Sequence, residues 1–131
     1  MSTGKKNLRT PLKTARGLGS AKDGTHHFIV QRITAIALVF LSLYVIALVV
    51  TLVGHDYAYV RAAVASPANA VLLVAFLIAM FWHGQLGMQV IIEDYVHTPW
   101  LAVTSQLLVI FISVLAALAS VLAVIRIALG A

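Results

Sequence analysis

The chain of 131 residues contains no cysteine, only four acidic residues and only three prolines. The absence of cysteine excludes disulfides, thiolate metal ligands, iron–sulfur ligation and cysteine nucleophiles. Charged residues make up 10% of the chain and hydrophobic residues 62%, and the mean hydropathy is +1.02. A soluble domain is about a quarter charged and about half apolar. The composition therefore predicts a membrane protein that is too short to include a soluble catalytic domain.

Three uncharged apolar stretches predict membrane-spanning helices. They cover residues 33–53, 70–92 and 101–125, and about 20 apolar residues are enough for a helix to cross a bilayer. We therefore expect an all-α membrane protein with three transmembrane helices. The connection 93–100 is short, so the second and third helices are expected to be adjacent and antiparallel, whereas 54–69 is expected to be a loop.

Positive charge is concentrated near the amino terminus. Residues 1–32 carry seven Lys or Arg residues and one Asp, while the rest of the chain is close to neutral. Positive charges mark the cytoplasmic side of a membrane, so this basic segment is expected in the cytoplasm (or matrix), against a soluble partner or anionic lipid. The chain then divides into the basic segment 1–32 and a membrane domain, 33–131. A basic tail of this kind does not predict a nucleic-acid partner.

The first apolar stretch does not resemble the core of a signal peptide. It is longer than the roughly 7–15 residues of such a core, and 32 residues precede it. The sequence also shows no transit-peptide pattern. We therefore expect a bacterial inner (plasma) membrane rather than the mitochondrial inner membrane.

The second apolar stretch contains a histidine, His83. An ionisable group at bilayer depth is costly and suggests a functional site. Two interpretations are open: a buried histidine that is hydrogen-bonded to a neighbouring helix, or an axial ligand of haem iron, for which neutral imidazole is well suited. Gly84 and Gly87 favour close approach by a bulky group or by another helix. No other histidine lies in an apolar stretch, so a second axial ligand has to come from another subunit.

Polar residues lie on two sides of the same helix. Each residue turns a helix by about 100°, so His83 and Asp94 share one face if the helix continues past Ile92. Gln85 and Gln89 lie on the opposite face by the same rule. A membrane helix that is polar on two sides is expected to be sandwiched between other helices.

Four further residues are candidates for binding. Tyr95 fits an interfacial aromatic belt, or a phenol that donates a hydrogen bond to a quinone oxygen. In the second case Asp94 would orient a cationic partner or assist proton supply. Arg32, at the entry to the first helix, fits a side chain that reaches the headgroups, or one that pairs with a carboxylate such as a haem propionate. His26 is a weaker candidate for pairing with such a carboxylate.

Two segments, 18–35 and 83–95, resemble the hydrophobic membrane anchor of succinate dehydrogenase (respiratory complex II), in particular the smaller of its two anchor proteins. The most specific element is His83, with a glycine four residues later and Asp-Tyr at plus eleven and plus twelve. The Arg-x-Thr-Ala sequence that begins at Arg32 supports the likeness. The resemblance covers about residues 18–125.

The resemblance implies half of a two-subunit membrane anchor bundle. His83 would be an axial ligand of one haem b, shared with a sister cytochrome b anchor subunit. Tyr95 would bind ubiquinone, with Asp94 beside it, and Arg32 and His26 would lie near the propionates and the quinone pocket. A flavoprotein subunit and an iron–sulfur subunit would complete a heterotetramer that oxidises succinate in the tricarboxylic acid cycle. The chain by itself would not be a catalyst.

Other interpretations stay open at this point. A cytochrome b-type anchor of a fumarate reductase, or of a related quinone oxidoreductase, shares the same parts. A structural assembly factor without a cofactor is a second alternative, and a small transporter with His83 as a proton relay is a third. The transporter is disfavoured because only one ionisable residue lies in an apolar stretch and no inverted repeat is visible.

Overall fold

The computed structural model describes residues 22–130, with side chains from residue 24 onward. In this part of the chain four helices follow one another: α1 (Lys22–Leu52), α2 (Tyr57–Ala65), α3 (Pro67–Tyr95) and α4 (Pro99–Ala128). Three of them, α1, α3 and α4, are long and apolar enough to cross a membrane, which confirms the three predicted spans. The predicted basic segment lies outside the described residues up to residue 21.

Each long helix starts earlier than its apolar stretch. α1 begins at Lys22, and α3 and α4 begin at Pro67 and Pro99. Hydropathy marks only the apolar part of a helix, whereas the backbone hydrogen bonds continue into polar flanks. Proline suits the first turn because its missing N–H has no partner to lose there. Two histidines, His26 and His27, therefore lie on α1, and the prediction that leaves them outside the helical segments is wrong.

A short helix, α2, forms where a loop is expected. Gly54 ends the turn after α1 with a φ of +83°, a conformation that glycine adopts without a steric penalty. Asp56 caps α2, because its carboxylate accepts a hydrogen bond from the backbone N–H of Tyr59 at 2.9 Å. Ser66 then separates α2 from α3. A search for apolar runs misses α2 because it has nine residues, too few to span a bilayer.

The central helix of the fold is α3. It packs against α1 and against α4, which confirms that the helix with polar residues on two sides is sandwiched. Three of the described residues are buried, Ala70, Leu86 and Ile92, and all belong to α3. Many long apolar side chains of α1 and α4 are exposed. The chain therefore has little interior of its own, and its apolar surfaces need lipid or protein around them.

The two ends of the bundle differ in chemistry. The α2 end comprises the end of α1, all of α2, the start of α3 and the end of α4. The Tyr95 end comprises the start of α1, the end of α3 and the start of α4. This grouping follows from the alternating direction of the three long helices.

Candidate functional site

His83 faces α1 and forms a hydrogen bond across the helix interface. Its Nδ1 lies 3.1 Å from the hydroxyl oxygen of Thr34. This contact corresponds to the first interpretation of His83, a histidine bonded to a neighbouring helix. It occupies only one of the two ring nitrogens, so it leaves the second interpretation open.

The surroundings of Thr34 decide which atom carries the shared proton. The hydroxyl oxygen of Thr34 lies 2.9 Å from the carbonyl oxygen of Val30 and 3.1 Å from that of Gln31, both one turn back on α1. A hydroxyl has a single proton, and donation to these carbonyls leaves its lone pairs for His83. We therefore assign the proton to Nδ1 of His83, which makes Nε2 the nitrogen with a free lone pair.

The second ring nitrogen of His83 remains accessible. Two side-chain atoms of the described residues are enclosed without a hydrogen-bond partner, Nε2 of His27 and Oε1 of Gln31. Nε2 of His83 is not one of them and forms no hydrogen bond within residues 22–130, so the chain does not fully enclose it. In the same range no group of three or more His, Asp or Glu side chains could hold a metal ion.

A polar seam on α1 faces α3 at this level. We use this term for His27, Gln31 and Thr34, which are spaced by four and three residues and so share one face of the helix. All three are half-buried. The side-chain nitrogen of Gln31 lies 3.8 Å from the position that a Cβ would take at Gly87. The seam therefore places Gln31 against Gly87 and Thr34 against His83.

The glycines next to His83 are not equivalent. A Cβ at Gly84 meets nothing within 4 Å, whereas a Cβ at Gly87 makes an ordinary contact with Gln31. At Gly87 the close neighbour is thus a side chain of α1. At Gly84 the chain presents open space beside His83, which a group from outside the chain can approach.

Tyr95 and Asp94 lie at the end of α3, three to four turns of helix from His83. α3 continues to Tyr95, which confirms the condition under which His83 and Asp94 share one face. The side chain of Tyr95 is 77% exposed, and Asp94 is exposed as well. The Tyr95 hydroxyl forms no hydrogen bond within the described residues. Tyr95 therefore lies on the surface of the described part of the chain.

The structure does not bring Arg32 and His26 next to His83. Both side chains are exposed. The guanidinium of Arg32 lies 4.6 Å from the ring centre of Phe28, one turn earlier on α1, a cation–π contact. Arg32 is turned about 200° from Thr34 around the helix, so it faces away from the polar seam.

The opposite face of α3 carries the glutamines, as predicted. Gln85 lines a shallow groove of about 190 Å³ between α3 and α4, together with Trp82 and the small residues Ser113 and Ala117. Gln89 donates a hydrogen bond of 2.8 Å to Glu93 on its own helix. These small residues of α4 therefore face α3, as suits close packing between membrane helices.

Sequence reasoning missed the polar seam. It used Thr34 only as part of a motif, and it assigned no role to His27 or Gln31. The spacing of these residues was a visible signal, since polar groups at i, i+4 and i+7 of an apolar helix mark one face. The partner of that face could not be identified before the packing of α1 on α3 was known.

The arrangement defines a multi-pass membrane protein with a hydrogen-bonded histidine in its central helix. Among known proteins, the family described as succinate dehydrogenase/fumarate reductase transmembrane subunit matches residues 6–123. The chain belongs to this family, which confirms the resemblance stated from its sequence motifs.

Several bacterial relatives are similar over most of their length. The succinate dehydrogenase hydrophobic membrane anchor subunit of Rickettsia bellii is 36% identical over 118 residues, which is 90% of this chain and 94% of that protein. The protein of the same description from Rickettsia conorii is 33% identical, over 69% of this chain and 72% of its own length. The one from Paracoccus denitrificans is 33% identical, over 66% of this chain and 67% of its own length. These likenesses identify a bacterial multi-pass membrane protein of the anchor type.

Proposed function

We propose that this chain is the smaller membrane anchor of a succinate:ubiquinone oxidoreductase, in which His83 is an axial ligand of haem b and Tyr95 binds the quinone. The observation that carries the proposal is the state of His83. Its Nδ1 is held by Thr34, and its Nε2 is neither hydrogen-bonded nor fully enclosed among the described residues. A histidine that ligates a metal is typically held in this way, by a hydrogen bond at the nitrogen that does not touch the metal.

The residues around His83 fit a haem. Nε2 has the free lone pair that iron needs, and Gly84 leaves open space next to the ring. Among the described residues His83 is the one proposed ligand, and a second ligand would come from the sister cytochrome b anchor subunit. When bound there, haem supplies a one-electron redox centre whose potential depends on its ligands and their hydrogen bonds. His26 and Arg32 lie nearer the Tyr95 end and are the candidates to bind the propionates.

The quinone site is proposed at the Tyr95 end. The hydroxyl of Tyr95 is free to donate a hydrogen bond to a quinone carbonyl, where negative charge develops during reduction. Asp94, the next residue back, is placed to supply protons to that oxygen. Because Tyr95 is so widely exposed, the pocket is completed by the sister anchor and the iron–sulfur subunit, which also delivers the electrons taken from succinate by the flavoprotein.

The basic amino-terminal segment orients the chain. Seven positive residues before the first apolar stretch favour a cytoplasmic amino terminus. This orientation puts Tyr95 on the cytoplasmic side, where the soluble subunits are expected. The relatives named as succinate dehydrogenase anchors favour succinate oxidation, and the family description also includes fumarate reductase, which is the alternative direction.

The test is a reduced-minus-oxidised visible spectrum of the detergent-purified native complex, wild type against His83→Ala. We expect a b-type haem signal in the wild type and its loss or shift in an intact variant complex. A wild-type complex with all four subunits and no haem would contradict the haem assignment, and it would leave the anchor role standing. An unchanged spectrum in the variant would place the axial ligand elsewhere.

A further inference from the structure

We infer that Thr34 is a positioning residue for His83. It fixes the proton on Nδ1 and the orientation of the ring, so that Nε2 is presented as the ligand nitrogen. The inference rests on the proposed haem role of His83. It concerns a residue that touches neither the haem nor the quinone.

The hydroxyl group of Thr34 is held in a fixed position on α1. Its hydroxyl oxygen is held by two carbonyl oxygens of its own helix, those of Val30 at 2.9 Å and Gln31 at 3.1 Å. A threonine in a helix has few side-chain conformations, and those that bond the preceding turn are preferred. The position of the oxygen relative to α1 is therefore set before His83 is considered.

The hydrogen bond between His83 and Thr34 runs from Nδ1 of His83, the donor, to the hydroxyl oxygen of Thr34. If Thr34 gave its proton to Nδ1, its oxygen would face the carbonyl oxygens of Val30 and Gln31 with no proton between them. These oxygens would then repel each other at hydrogen-bond distance. Donation from Nδ1 to Thr34 satisfies all the groups at once. The neutral ring then has its only lone pair on Nε2.

The hydrogen bond at Nδ1 would affect a metal ion that is bound at Nε2. A hydrogen bond donated by the distal nitrogen of a ligating histidine makes the ligand more basic and fixes the plane of the ring. A more basic ligand favours the oxidised, more positive iron. The bond from His83 to Thr34 therefore lowers the haem midpoint potential and strengthens haem binding. Its removal raises the potential and weakens binding.

The test compares Thr34→Val with Thr34→Ser in the complete complex. Valine keeps the branched shape of threonine and removes the hydroxyl, while serine keeps the hydroxyl and removes a methyl group. Thr51→Val is the matched control, because the hydroxyl of Thr51 bonds the Leu48 carbonyl of the same helix at 2.7 Å and lies at the α2 end. The measurements are a redox titration of the haem band and the rate at which haem transfers to an excess of apomyoglobin.

We expect Thr34→Val to raise the midpoint potential and to weaken haem binding by about 10- to 100-fold, the usual effect of losing the outer partner of a metal-bound histidine. Thr34→Ser and Thr51→Val are expected to match the wild type in both measurements. If the Thr34→Val complex does not assemble, Thr34→Ala replaces it and is judged by the same criteria.

Two outcomes overturn the inference while the haem assignment stands. In one, Thr34→Val leaves potential and haem transfer unchanged in an assembled complex. In the other, Thr34→Ser shifts both as much as Thr34→Val, which would show that shape rather than the hydroxyl matters. A wild-type complex without haem overturns the haem assignment and the positioning role together, so failure of the proposed function is recognised separately.

Discussion

The α2 end and the Tyr95 end of this small bundle differ in whether their polar groups have partners within the chain. At the α2 end, Tyr44 of α1 donates a hydrogen bond to the side-chain oxygen of Asn69 on α3, and the Asn69 amide donates to the carbonyl of Ala63 on α2. Asp56 caps α2, and the rings of His55 and Tyr59 stack with centroids 4.0 Å apart. These polar groups thus find partners within the chain.

The Tyr95 end leaves comparable groups without partners. Nε2 of His27 and Oε1 of Gln31 are enclosed and unpaired among the described residues. The Tyr95 hydroxyl is exposed and unpaired in the same part of the chain. An enclosed polar atom without a partner costs about 1–3 kcal/mol, so an end with two of them is incomplete. We infer that the α2 end is completed by contacts within the chain, whereas the Tyr95 end is completed by groups from outside it.

The comparison is tested most strongly by two tyrosines with nearly equal exposure. Tyr95 is 77% exposed at one end and Tyr57 is 79% exposed at the other. We expect Tyr95→Phe to lower quinone reduction by about 10- to 100-fold, because a hydrogen bond to a charged acceptor contributes about 1.5–3 kcal/mol. Succinate oxidation with an artificial dye should persist, and the ratio of the two rates is the measurement.

Tyr57→Phe is the matched control for Tyr95→Phe. It removes an equally exposed hydroxyl from the α2 end and is expected to leave both rates unchanged. Equal loss of quinone and dye reduction in Tyr95→Phe would reject the quinone assignment. An equal effect of the two substitutions on the ratio would remove the distinction between the ends.

A second prediction concerns the enclosed oxygen of Gln31. In the chain alone, Gln31→Leu removes an unpaired buried acceptor and should raise the free energy of unfolding. In the assembled complex we expect a partner subunit or water to satisfy this oxygen, so the same substitution should lower the free energy of unfolding by about 1–3 kcal/mol. The measurement is thermal unfolding of the purified complex.

The control for Gln31→Leu is Gln89→Leu on α3. The amide of Gln89 bonds Glu93 on its own helix, and such a pair contributes only about 0.2–0.5 kcal/mol. A gain in stability for Gln31→Leu in the complex would mean that the oxygen stays unpaired there. The Tyr95 end would then be strained rather than incomplete.

The self-contained α2 end leads to a third, smaller prediction. Tyr44→Phe deletes the donor to Asn69, and we expect a loss of about 1 kcal/mol, within the range measured for hydrogen bonds between membrane helices. The haem potential and quinone reduction should stay at wild-type values, since no part of the proposed site depends on this end. Unfolding followed by thermal denaturation, with a redox titration in parallel, separates the two effects. A shift in haem potential would show that the ends are coupled.

The sequence was sufficient for the three membrane spans and the central place of α3, but only partly for the site. Apolar length predicted three spans, and the polar faces around His83 and Gln85 predicted that α3 lies between two helices. The predictions failed where the signal is not apolar length: the nine-residue α2 and the extension of α1 through His26 and His27. The bond between Thr34 and His83 joins residues that are 49 positions apart. No local pattern specifies which turn of α1 meets His83, because that depends on how two helices pack.

The smallest expected effect concerns Gly87, which the sequence alone suggested as a place of close approach. A Cβ at this position lies 3.8 Å from the Gln31 side-chain nitrogen, an ordinary contact. Alanine also favours a helix over glycine by about 1 kcal/mol. We therefore expect Gly87→Ala to assemble normally, with stability raised by less than about 1 kcal/mol and an unchanged haem spectrum. Gly87→Leu should instead push Gln31 away, separate α1 from α3 and weaken the bond between Thr34 and His83. A spectrum that is altered by alanine would show that in the complex Gly87 faces the bound group rather than the polar seam on α1.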